Sequence, residues 1–325
     1  MPRKVLPRRF GCPEGPQGFL SICAKEKPRG VLRGQSGAAA VWGGMALFFM
    51  TALAMLAFAA NSVLNRMAVG AGLIDPVVFA VIRLAAGAGM LALLVAARRV
   101  FVGGAVWPEW QGRLAGVAGL LAYLFLFSIA YLTLDAGIGA LILFGSVQVT
   151  MFAGAVVARE DVPPARWAGA GLAFAGLLVL VAPGIRIGAF GPVMAMAGAG
   201  VGWGIYSLAG RSAKDPLLAS AANFGLALPL AVVAAGVMGI EGGVQTLGIW
   251  LAILSGAVTS GLGYALWYGV VPKLGAARAA VAQLTVPVFA AGAGAVWLGE
   301  DVSLRFLVAS GLVLGGVAFA SFSRR

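Results

Sequence analysis

Apolar residues in this chain run continuously, twenty or so at a time, between short polar breaks. A spanning helix needs about 20 mainly apolar residues. Ten such runs are present, at 41–64, 76–97, 114–132, 136–158, 167–182, 193–210, 217–238, 249–270, 279–298 and 306–322. Continuous rather than alternating runs disfavour a β-barrel. The pattern predicts an all-α polytopic membrane protein of ten transmembrane helices.

The breaks between the runs repeat at an offset of 140–145 residues. Asn61-Ser62-Val63-Leu64-Asn65-Arg66 aligns with Tyr206-Ser207-Leu208-Ala209-Gly210-Arg211, Asp75-Pro76 with Asp215-Pro216, and Glu160-Asp161-Val162 with Glu300-Asp301-Val302. Three matches in order point to two repeats, 41–184 and 190–323, of five helices each. Five is odd, so the second repeat must lie upside down relative to the first. Inverted repeats are a transporter architecture with a substrate site near mid-membrane between the halves. Residues 1–40 are rich in Pro, Gly, Arg and Lys and lack periodicity, and are expected to form a disordered cytoplasmic tail. A cleavable signal peptide is the alternative, but the run at 41–64 exceeds a signal peptide's apolar core, and its removal would break the repeat.

Composition agrees with the pattern. Of 325 residues, 61% are hydrophobic and 10% charged, with a mean hydropathy of +0.98, whereas soluble domains carry roughly 25% charged residues. The 49 glycines suit close approach of membrane helices, with spacings such as Gly112/Gly116, Gly198/Gly202, Gly200/Gly204 and Gly311/Gly315. A net charge of +12 raises the question of nucleic acid, and its distribution answers it. With the N-terminus inside and ten alternating helices, 19 of the 23 basic residues fall on the cytoplasmic side; Arg66, Arg83, Arg186 and Arg305 are the other four. This follows the positive-inside rule. It predicts a multi-pass protein of a bacterial inner membrane with both termini cytoplasmic, and no nucleic-acid partner. The partners expected are a small-molecule substrate and the lipid bilayer; the sequence leaves the oligomeric state open. Cys12 and Cys23 stand alone in a chain without histidine, so neither a metal site nor a cofactor is expected.

The sequence also resembles the EamA-type branch of the drug/metabolite transporter superfamily over about residues 41–323. The resemblance rests on Ala59-Ala60-Asn61-Ser62-Val63-Leu64-Asn65-Arg66, Ile82-Arg83, Trp203-Gly204-Ile205-Tyr206-Ser207, and Leu284-Thr285-Val286-Pro287-Val288-Phe289 followed by Leu298-Gly299-Glu300. It implies ten helices and export or uptake of amino acids, other metabolites or drugs. One departure is Val147, where the family's proline often sits, followed by Gln148; the two halves are therefore chemically unequal.

Catalytic groups are scarce. Asp75, Glu109, Asp135, Glu160, Asp161, Asp215, Glu241, Glu300 and Asp301 fall in loops or at helix ends, with Glu14 and Glu26 in the tail. This argues against an intramembrane enzyme and against an antiporter driven by a mid-membrane carboxylate. Arg83 lies seven residues after Pro76, roughly 10 Å into its helix. It anchors a substrate carboxylate, pairs with carbonyls of a broken helix, or snorkels to the outer headgroups. Gln148 sits mid-span and either lines a wet cavity or bonds a neighbouring helix. Gln283, Thr285 and Pro287 occupy the matching stretch of the ninth helix, where the proline frees a backbone carbonyl and kinks the chain. Asn61, Ser62, Trp203, Tyr206 and Ser207 come from the matching helices one and six, Tyr264 and Trp267 from helix eight. Tyr123 lies too deep in helix three to be an interfacial residue, so its hydroxyl needs a partner. Such a lining, aromatic and amide-rich, suits an amphipathic and roughly neutral solute. The expectation is an alternating-access carrier of a small organic metabolite, with amino-acid export favoured over a broad drug exporter, a structural membrane protein or a membrane-embedded enzyme.

Overall fold

Helices occupy the apolar runs. The computed structural model describes residues 36–103, 110–159, 163–181, 190–210 and 213–322. Eleven α-helices are found among them: α1 Ser36–Asn65, α2 Pro76–Val102, α3 Arg113–Ala130, α4 Ala136–Val157, α5 Pro164–Val181, α6 Phe190–Gly210, α7 Pro216–Met238, α8 Thr246–Leu254, α9 Gly263–Gln283, α10 Thr285–Leu298 and α11 Leu304–Phe322. No strand occurs among the described residues; Ile74 and Val244 form an isolated bridge. Seven helical segments are long and apolar enough to cross a membrane, and Trp167–Val179, Thr285–Leu298 and Leu304–Phe319 are shorter apolar helices. The chain divides into two units, Met1–Gly44 and Met45–Arg325. In the first, residues 36–44 are helical, beginning inside the stretch expected to lack structure; Ser36 precedes a run of alanines that favours helix. The fold below is that of the second.

Both Asp-Pro pairs open helices. The Asp75 carboxylate accepts from the backbone N–H of Val77 at 2.8 Å, with Pro76 at the first helical position. Asp215 accepts from Leu218 N–H at 3.1 Å ahead of Pro216. Proline suits the first turn because the N–H it lacks has no intrahelical partner there. Asp75 also accepts from Glu241 and Gly242 N–H, tying the end of α2 to the loop before α8.

Two features of the helices differ from the sequence expectation. α1 continues as a π-helical segment, Arg66–Gly70, and α8 runs through a second, Ser255–Leu262, into α9. The break expected between the eighth and ninth spans, at 271–278, is helical instead, and the chain turns at Leu284. Pro287 explains the position: its ring crowds the carbonyl four residues back, that of Gln283, so the helix cannot pass through unbroken.

Glycines set the closest helix contacts. On α3 and α6, Gly119 and Gly202 lie back to back: a Cβ at either would come within 2.6–2.8 Å of the other's carbonyl oxygen. Helices α5 and α11 pack reciprocally. Gly176 lies against Ala309, Leu312 and Val313, and Gly316 against Gly169, Leu172 and Ala173, so every position in one contact is 140 residues from its counterpart in the other. Helix α4 packs on α6 and α10, and α2 on α7 and on the second π segment. The apolar core of this bundle includes Tyr123, Leu124, Phe127, Tyr131, Phe224 and Tyr264.

Candidate functional site

Two polar residues buried in the bundle, Asn61 and Arg83, meet hydroxyls of the second π segment. There Ser255 donates to Asn61 Oδ1 at 2.8 Å. The Thr259 hydroxyl lies against the same oxygen and against the Ser255 carbonyl, and can donate to one of them. Its neighbour Ser260 accepts from Arg83 Nε at 3.2 Å. A π turn widens the helix and re-aims its side chains; here it presents three hydroxyls to α1 and α2 at once. Gly256 makes the approach of α2 possible, since a Cβ there would collide with the Arg83 carbonyl.

A cavity opens beside this cluster, lined by Phe58, Asn61, Ser62, Tyr123, Phe127, Leu143, Phe144, Trp203 and Tyr264. It leaves about 20 Å³ for the centre of a water molecule, room for one or two waters, so the walls are drawn in around it. The rings contact one another: Tyr123 and Trp203 centroids lie 4.9 Å apart, Trp203 and Tyr264 5.0 Å. Five of the residues singled out from the sequence therefore meet here: Asn61, Ser62, Tyr123, Trp203 and Tyr264. Tyr206 and Trp267 support them from behind. Tyr206 stacks on Trp203 at 5.2 Å, with its hydroxyl 2.8 Å from Ser220, and Trp267 meets Phe58 edge-on.

Arg83 is 0% exposed. This burial argues against the reading in which Arg83 snorkels to the headgroups. Its Nη2 donates to the Tyr123 hydroxyl at 2.7 Å, and its guanidinium lies 5.1 and 5.0 Å from the Tyr123 and Phe127 ring centroids. Nη1 has no hydrogen-bond partner among the described residues. The remaining sequence candidates lie elsewhere. Ser207 donates to the Trp203 carbonyl. Gln148 is half-buried on α4, one turn beyond the cavity residue Phe144 on the same side of the helix. Gln283 and Thr285 flank Leu284, which packs with Ala173 of α5 and Val317 of α11, and Pro287 is buried in the first turn of α10; none of the three lines the cavity.

Several site residues are not singled out by the sequence. Phe58, Phe127, Leu143 and Phe144 read as ordinary apolar residues of a span. Ser255, Thr259 and Ser260 were legible as hydroxyls within an apolar run, spaced to share a helix face, as was Asn65, which donates to Ser128 at 3.0 Å.

Ion pairs close both ends of the bundle. At one end Arg66 meets Glu300 at 3.4 Å and Asp135 at 3.8 Å, and the Glu300 carboxylate accepts from Ala136 N–H at 2.8 Å. Burial raises the Glu300 carboxyl above its ordinary value, outweighing that N–H and Arg66. At the other end Arg98 grips Asp215 through both oxygens, at 2.9 and 2.5 Å, and this hydrogen bonding holds the Asp215 carboxyl below its ordinary value. Arg113, also buried there, donates to the Ala219 carbonyl and to Asn223. Among the described residues no cluster could hold a metal ion. Glu109, Glu160, Asp161, Arg186 and Arg211 lie outside them.

The profile of the EamA-like transporter family matches residues 190–322. An uncharacterized protein of Pseudomonas aeruginosa is 44% identical over 271 residues, 83% of this chain and 92% of that one. An uncharacterized transporter of Archaeoglobus fulgidus is 26% identical over 211 residues, 62% of this chain and 74% of that one. A protein crystal structure 19% identical in sequence superposes with a TM-score of 0.62, covering 85% of this chain and 97% of the other; this likeness concerns the fold alone.

Proposed function

The chain belongs to the EamA-like transporter family, and from that premise we propose that it is a secondary or facilitative carrier. It moves a small organic metabolite, an amino acid or similar amphipathic solute, across a bacterial inner membrane by alternating access, in the direction of export. The observation that carries this reading is the cavity: a ring-walled chamber inside the bundle, carrying amide and hydroxyl groups from α1, α3 and α9, with ion pairs at both ends of the surrounding helices. A carrier needs a central site and two closures that are not open together. Gln148, one turn beyond Phe144, extends the lining toward the Arg98 end.

The architecture we propose is ten spans in two inverted repeats, with both termini cytoplasmic. Three shorter apolar helices added to seven spanning ones supply ten. The reciprocal contact of α5 with α11 supports the inversion, because a two-fold axis relating the halves maps such a contact onto itself. The contact of Gly119 with Gly202 has a counterpart in that of Gly263 with Ala57, displaced by 144 and 145 residues. Asp75 and Asp215 cap equivalent helices.

Purified protein in proteoliposomes, tested by counterflow against a panel of amino acids and cationic dyes, decides between the readings. Saturable exchange of an amino acid is expected. Counterflow of dyes alone would favour a broad drug exporter, and no counterflow of any solute would refute transport of this type.

A further inference from the structure

Two of the polar groups that reach the cavity, those of Asn61 and Tyr123, are left as donors by their other bonds, and this bears on the ligand. Asn61 Oδ1 is engaged by Ser255 and Thr259, so the group that Asn61 can offer a ligand is its NH2. The Tyr123 oxygen accepts from Arg83 Nη2, which leaves its own proton to be donated. Tyr264 shares the cavity wall with Tyr123. No carboxylate lines the chamber. Behind Tyr123 stands Arg83, buried, with no ion pair among the described residues and with one nitrogen unpartnered.

A buried guanidinium without a counter-charge is costly, and ionisable groups at membrane depth mark ligand or ion pathways. Hydrogen bonding to a cation also polarises the Tyr123 hydroxyl and strengthens it as a donor. On these grounds, and resting on the transport reading above, we infer that the ligand of this cavity is an organic carboxylate. As the drawn-in walls part in the transport cycle, its oxygens dock on the Tyr123 hydroxyl and the Asn61 NH2 with the Arg83 charge behind them, and its apolar body enters between Phe58, Phe144, Trp203 and Tyr264. The carboxylate completes the charge balance of Arg83 when it binds. An ammonium on the same ligand finds no ionic partner in the chamber and is left to the ring faces; a solute whose only charge is positive is repelled.

Three probes of one shape and different charge test this: 3-phenylpropionate, 3-phenylpropionamide and 3-phenylpropylammonium. Their binding to the full chain in detergent is read by quenching of tryptophan fluorescence, Trp203 being in the wall. The carboxylate should bind about tenfold more tightly than the amide, as expected of a hydrogen bond to a charged group, and the ammonium more weakly still. Arg83→Gln and Tyr123→Phe should each bring the carboxylate-to-amide ratio toward one, while Arg83→Lys keeps most of it. The ratio does not depend on the fraction of protein that is folded, so a merely structural role would leave it in place. Amide or ammonium binding as tight as the carboxylate in the wild type overturns the inference, as does a ratio that survives both Arg83→Gln and Tyr123→Phe. If none of the probes binds, the inference also fails, whereas counterflow of any other solute would leave the transport reading standing.

Discussion

The contact of α3 with α6 should be the most sensitive packing site in the bundle. A Cβ on Gly119 would lie 2.6 Å from the Gly202 oxygen and 2.9 Å from Tyr206 N; one on Gly202 would lie 2.8 Å from the Gly119 oxygen and 2.9 Å from Tyr123 N. Ordinary contact begins near 3.4 Å, so Gly119→Ala requires the helices to part by 3.4 − 2.6 = 0.8 Å and Gly202→Ala by 3.4 − 2.8 = 0.6 Å. The atoms met are backbone, which cannot swing aside as a side chain does. Overpacking of this kind costs about 1–3 kcal/mol, offset in part by alanine's better helix propensity, up to about 1 kcal/mol. Each substitution is expected to destabilise the protein by about 1–2 kcal/mol, read by unfolding in mixed detergent–SDS micelles. The double substitution should cost less than the sum, because helices already parted by one methyl accommodate the second. Gly225→Ala, exposed on α7 with nothing within 4 Å, is the control and should be neutral or stabilising. Ligand affinity should fall with stability, since Tyr123 and Trp203 ride on the two displaced helices. Unfolding of Gly119→Ala and Gly202→Ala indistinguishable from Gly225→Ala would refute the close packing on which the site geometry depends.

Asp215 and Glu300 should respond to pH with opposite signs. The Asp215 carboxyl is lowered from its ordinary 3.8, so its stabilisation is full at neutral pH and lost as the pH falls through its folded value; the deficit of Asp215→Asn should shrink in acid. Glu300 is raised from 4.5, so ionising it costs stability, and the wild type should gain on Glu300→Gln as the pH falls from 7 toward 4.5. Paired thermal melts check both, from pH 7 to 4.5 for Glu300→Gln and on down below pH 3.8 for Asp215→Asn, and curves that stay parallel to the wild type across either window would contradict that expectation. Gln148→Leu should weaken ligand affinity while leaving the melting temperature level or higher, because its amide bonds no described residue and an apolar group replaces it; a lower melting temperature with unchanged affinity would remove Gln148 from the pathway. A reporter active only in the cytoplasm, fused after residue 325, should be active, and a periplasmic signal would invert the proposed topology.

Where the helices start and stop was largely written in the sequence. Whether a segment dissolves in lipid depends on its own composition over about 20 residues, and whether a helix begins at Asp75-Pro76 or Asp215-Pro216 depends on a cap and a ring three or four atoms away. Both are local facts. The matches from which the repeat is proposed are local for the same reason, being caps and turns such as Asp75-Pro76 and Asp215-Pro216. What the sequence left undecided was which polar residues meet. Asn61 and Tyr123 were visible as polar groups in apolar spans, yet nothing near them in the chain announces Ser255 or Arg83, 194 and 40 residues away. Gln283 and Thr285 matched Gln148 by position, but the turn at Leu284 seats them beside α5 and α11. The buried orientation of Arg83 was equally open: its stem is long enough to reach the headgroups, and it turns inward because Ser260, Tyr123 and two ring faces receive it there. A hydrogen bond or a cation–ring contact forms only when two distant segments are brought within a few ångströms, and helix packing through glycines such as Gly119, Gly202 and Gly256 decides that distance.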